Sequence, residues 1–183
     1  MEKDVDKRNN QRKKLSIRVN AAVFVSVVAV ISILGFFRSH GLTVEYYNGM
    51  NFDKFLAMSV DRNVDSNWKS GSPRRGIRPD HFSIRWSGTV RTRRAGKIEF
   101  FTRTDDGARL WIDDSLIIDD WKSHAVKTAR GSIFLAEGPH SIKLEYFENR
   151  GGASAQLLWQ SEGDPFPFVI PTSVLVPSNV LRQ

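Results

Sequence analysis

Beyond Gly41 the apolar residues of this chain recur at every second position. Phe82, Ile84 and Trp86 alternate with Ser83 and Arg85, and Ile98 and Phe100 with Lys97 and Glu99. Leu110 and Ile112 follow the same rule, with Trp111 on the opposite face. Ile142, Leu144 and Tyr146 alternate with Lys143 and Glu145, and Ala155, Leu157 and Trp159 close the series. Successive side chains of a strand leave opposite faces, so this spacing marks half-buried strands. Ala95-Gly96, Asp106-Gly107, Asp113-Asp114-Ser115, Glu137-Gly138-Pro139 and Arg150-Gly151-Gly152 supply turns between them. With no helical period of comparable length, the expectation is an all-β, antiparallel sandwich or barrel. Residues 48–79 are rich in Asn, Asp, Ser, Gly and Arg, and read as long loops with one short strand or helical turn. Residues 164–183, punctuated by Pro165, Pro167 and Pro171, read as an extended wrap and a tail.

A different pattern precedes this domain. Val19 to Phe37 is an uncharged run of 19 residues, long enough at about 1.5 Å per residue to cross a hydrocarbon layer of roughly 30 Å. A transmembrane helix over 19–37 is therefore expected. A cleaved signal peptide is the rival, but the run is long for one and Phe37-Arg38-Ser39-His40-Gly41 lacks a small-x-small cleavage site. Seven Lys and Arg residues precede the run, and this asymmetry predicts a cytoplasmic segment at 1–18 with the domain outside the cytoplasm. The expected localisation is a single-pass protein of a bacterial cell envelope.

The net charge of +7 must be apportioned before it is interpreted. Residues 1–18 carry +4 and Arg38 adds one, leaving +2 for the 145 residues from Ser39 onward. A nucleic-acid-binding domain keeps its basic excess on the folded surface, so no nucleic-acid partner is expected. The chain has no cysteine, which excludes disulfides, thiolate metal sites and a cysteine nucleophile. No Gly-x-Ser-x-Gly elbow, phosphate-binding glycine loop or His-Glu-x-x-His helix occurs, and His40, His81, His124 and His140 have no ligand spacing. An enzyme is not expected.

Three features remain as candidates. Asp105-Asp106-Gly107 is either an ordinary turn or a pair of hard oxygen ligands. Trp68 and Trp121 could stack on a ligand or pack. Arg74, Arg75, Arg78, Arg85, Arg91, Arg93, Arg94 and Lys97 are opposed in sequence only by Asp80, forming either a solvated face or an attraction for anionic polymer or lipid headgroups.

Several stretches in order resemble the protective-antigen domain family. They are Gly41-Leu42-x-x-x-Tyr46-Tyr47, Phe82-x-x-Arg85-Trp86-x-Gly88-x-Val90, Gly96-x-x-x-Phe100 and Asp105-Asp106-Gly107-x-Arg109-Leu110-x-Ile112-Asp113 running to Asp120-Trp121. Leu135-x-x-Gly138-x-His140-x-Ile142, Glu145-Tyr146-x-Glu148-x-x-Gly151-x-Ala153 and Leu157-x-Trp159 complete the set. The resemblance covers about residues 41–177, with 178–183 as a tail. It implies a jelly-roll-like β-sandwich and, as in lectins of the family, Ca²⁺-dependent carbohydrate binding. It further implies that Asp105 and Asp106, joined by a cis peptide, would hold the Ca²⁺ ion, with Asn149 supplying an oxygen from a second loop. Arg150, Gly151, Trp121 and Trp68 would line the ligand. The expected partner is a carbohydrate or glycoconjugate. The alternative is a structural or protein-interaction sandwich with an envelope protein partner and neither metal nor sugar.

Overall fold

The computed structural model describes residues 40–178, and the expected membrane segment at 19–37 lies outside them. Among the described residues no helix is long and apolar enough to cross a membrane. The domain is all-β, as the alternation requires. Its strands are β1 (Leu42–Asn48), β2 (Lys54–Asp61), β3 (Asp65–Lys69), β4 (Phe82–Thr92), β5 (Gly96–Asp105) and β6 (Ala108–Ile112). They continue with β7 (Ser115–Asp120), β8 (Lys127–Leu135), β9 (Gly138–Glu148), β10 (Ala153–Ser161), β11 (Phe168–Val169) and β12 (Leu175–Pro177).

The strands form two antiparallel sheets. One runs β2-β1-β4-β9-β6-β7, with β12 also paired to β4; the other runs β11-β10-β5-β8, with β3 also on β10. Between them lies a core in which Trp86, Phe82, Ile84, Leu110, Leu144 and Tyr146 face Phe100, Ala155 and Leu157. Each of these belongs to an alternating series, so the period alone places it inward. Trp111 takes the outer face instead, with the Lys143 ammonium 3.9 Å from its ring centre.

Two expectations change. Residues 48–79 hold two strands, β2 and β3, rather than mostly loop. β2 lies at a sheet edge with Phe55, Met58 and Val60 exposed, so it lacks the inside–outside alternation that identifies a strand facing a core. The segment after Pro165 does wrap the sandwich, but it also contributes ladder pairs: Leu158 with Val169, and Val90 with Leu175.

The outer face of the first sheet explains Arg85. Glu45, Arg85, Glu145 and Arg109 stand side by side on β1, β4, β9 and β6. Arg85 binds Glu145 Oε1 at 2.9 Å and Arg109 binds Glu145 Oε2 at 3.0 Å. The predicted basic stretch is therefore not one face, because Arg85 is spent in a cross-strand ladder of alternating sign.

Candidate functional site

β5 ends at Asp105 and β6 begins at Ala108, so Asp106 and Gly107 form a tight turn at one end of the sandwich. Gly107 is required there. A Cβ at this position would lie 2.6 Å from the Phe147 ring and 2.7 Å from the Asp120 carbonyl oxygen. The Asp105–Asp106 peptide is cis. Asp106 is only 5% exposed, and its carboxylate accepts the backbone N–H groups of His124 and Asn149, both at 2.8 Å. Two loops, following β7 and β9, thus fix this one side chain.

The third member of the site is Glu148, the last residue of β9, which is fully buried. The Tyr146 hydroxyl lies 3.0 Å from Glu148 Oε2 and also against the Asp105 carbonyl oxygen. Glu148 Oε1 has no hydrogen-bond partner. Asp105, Asp106 and Glu148 each present an oxygen within 4.8 Å of the others. Gly152 keeps the space beside them open, since a Cβ there would sit 3.1 Å from Asp105 Oδ2.

Crowding three carboxylates has an electrostatic consequence. Burial, together with the charges of Asp106, Asp105 and Asp80, pushes Glu148 up to about 8 despite its bond from Tyr146. Burial and the Asp106 charge also raise Asp105, with His124 pulling the other way. A buried carboxylate with one orphaned oxygen is costly to ionise unless a cation joins it. The donor set is all oxygen, the preference of a hard cation such as Ca²⁺. The residues therefore fit such an ion.

Asp105 and Asp106 stand in one cluster with Glu148. Asn149 is adjacent: its backbone N–H holds Asp106, and its side-chain amide donates to Ser123 Oγ at 3.3 Å. Gly151 donates its N–H to Asp80 Oδ1 at 3.1 Å, and exposed Arg150 points its Nε at His81 Nε2, 3.3 Å away. The two tryptophans are packed. Trp121 stacks on Phe52 and leans on Phe147 at 4.7 Å, with the Arg109 guanidinium 4.1 Å from its ring centre. Trp68 lies against Tyr146 and Phe82. Both rings thus have packing partners within the domain, and both stay partly exposed. Sequence reasoning missed Glu148 as a ligand candidate. The signal was present: it continues the buried face Ile142, Leu144, Tyr146, where a carboxylate is out of place.

A family model described as the PA14 domain matches residues 38–165. The chain belongs to the PA14 domain family. It is 41% identical over 140 residues to the anti-sigma-I factor RsgI3 of Acetivibrio thermocellus, covering 76% of this chain and 22% of that protein. A solved anti-sigma factor domain-containing protein from Clostridium clariflavum is 34% identical with a TM-score of 0.73, covering 79% of this chain and 49% of that one. A PA14 sugar-binding domain from an RTX adhesin has a TM-score of 0.66 at 18% identity, covering 76% of this chain and 99% of that one. The chain thus spans about a fifth of the curated relative and about half of the solved one. These findings overturn the reading of the chain as a carbohydrate-binding module. The relatives that share its sequence are anti-sigma factor proteins, whereas the adhesin likeness, at 18% identity, shows the fold alone.

Proposed function

We propose that this PA14 domain is the cation-stabilised regulatory module of an anti-sigma-type protein, with a sigma factor as the partner of the intact regulator. The observation that carries the reading is the 41% identity to anti-sigma-I factor RsgI3, which extends over 140 residues. The uncharged run at 19–37 and the basic residues before it support a module held outside the cytoplasm by a membrane segment. Such an arrangement suits a regulator that receives its signal on one side and acts on the other.

In this reading Asp105, Asp106 and Glu148 hold Ca²⁺, which supplies the charge that three crowded carboxylates lack. Asp106 is oriented by two backbone N–H groups, and Tyr146 orients Glu148. The ion ties β5 to the end of β9 and so sets the shape of the loops a signal would meet. Replacing the chromosomal gene with a copy lacking residues 40–178, followed by transcript profiling, tests the regulatory role. A set of promoters sharing one sigma factor should change at least fivefold. An unaltered transcript profile would rule the role out.

A further inference from the structure

The end of the sandwich opposite the carboxylates carries a groove of about 630 Å³. β4 pairs Phe82 with Glu148 at the acidic end and Thr92 with Gly138 at the other. Lys97 and Asp105 stand eight residues apart on β5, or about 26 Å at 3.3 Å per residue. Arg91, Arg93, Arg94 and Lys97 rim the groove from the β4–β5 hairpin, and Glu162 and Asp164 face them, leaving an excess of two positive charges. All four cations are exposed, and among the described residues none makes an ion pair or a side-chain hydrogen bond. Arg85 and Arg109, by contrast, are both committed to Glu145.

The floor is apolar. Ile98 and Trp159 are buried, and Phe168 and Val174 border them. Trp159 is only 8% exposed, wedged between Phe100 and Phe168, and its indole N–H has no acceptor. A buried donor without a partner costs stability and is rare. Arginine forks match tetrahedral oxyanions in geometry, and the excess of positive charge at the rim favours an anionic group.

We propose that this groove binds a phosphate group carried on an apolar body, the phosphate meeting the arginines of the hairpin and the body resting on Ile98 and Trp159. This site stands independently of the regulatory reading above. Its phosphate could belong to a soluble organophosphate or to a phospholipid headgroup.

The test is a nuclear magnetic resonance titration of the full chain in neutral detergent micelles, following the Trp159 indole N–H and the Ile98 methyls. One arm adds phenyl phosphate; the other dopes the micelles with phosphatidylglycerol, against phosphatidylcholine as control. Saturable shifts are expected in at least one arm, weakened at least tenfold in R93E/R94E and again in R91E/K97E. Shifts with phenyl phosphate alone assign the soluble source, and shifts with phosphatidylglycerol alone assign the headgroup. Silent resonances in both arms overturn the proposal. So do equal shifts with phenol, or affinities unchanged in both folded double variants.

Discussion

At one end of β5 three carboxylates crowd together, and at the other end four cations outnumber the two carboxylates that face them. The same strand serves both ends, and the same core lies between them. What differs is support. Asp106 and Glu148 are buried and held by backbone N–H groups and a tyrosine hydroxyl, whereas Arg93 and Arg94 stand exposed on a turn. The acidic end is pre-arranged, at an electrostatic cost, for a small hard ion. The basic end is adaptable and fits a larger ligand. The lesson is that a PA14 sandwich can place opposite chemistries at its two ends without altering its core.

The contrast can be broken most severely at Asp106. Asp106→Ala removes acceptors from two backbone N–H groups, so Ca²⁺ binding measured by calorimetry should vanish. Stability in denaturant should fall by about 2–3 kcal/mol, the loss of two charge-assisted bonds offset by relief of repulsion. Retained binding heat would mean that the acidic end is only a turn.

A medium effect follows from proton linkage. Glu148 releases its proton at about 8 when folded and at the ordinary 4.5 when unfolded. Between those values the metal-free folded chain keeps a proton that the unfolded chain has lost. Its stability should therefore fall as pH rises from about 5 to 8. Asp105, also raised, acts in the same direction. The melting temperature gained on adding Ca²⁺ should then be larger at pH 8 than at pH 5. Glu148→Gln should flatten the metal-free slope, and a slope unchanged in that variant would remove Glu148 from the account.

The smallest effect sharpens the comparison. R93E/R94E should leave Ca²⁺ affinity within about twofold at 0.15 M salt, because the ends lie several Debye lengths of about 8 Å apart. A larger change would show that the two ends communicate through the strands.

Much of this molecule was legible in its sequence, for physical reasons that also mark where reading fails. Strands β4, β5, β6, β9 and β10 border the core and alternate cleanly, so their period exposes them. β2 lies at a sheet edge with no regular inside–outside alternation, and β8, also at an edge, alternates in burial but sets small Ala129 and Gly131 inward and Phe134 outward, which hides the period. Asp105-Asp106 was visible as a turn with two carboxylates. Glu148 was overshadowed by the loop that follows it, although its place after Tyr146 already aimed it inward. The aromatic residues were harder. Whether Trp121 stacks on a ligand or on Phe52 depends on a loop contact distant in sequence, which no local pattern encodes. The run of arginines misled for a related reason, since Arg85 finds its partner 60 residues away on β9.

Strand β12 pairs with β4 immediately beyond the stretch that β1 occupies, and the Gly41 N–H donates to the Leu175 carbonyl at 3.0 Å. The polypeptide consequently enters and leaves the domain at neighbouring points. A unit of this kind can be spliced into a surface loop of a host protein without prising the flanking segments apart, and it would hang there like a pendant from a single attachment.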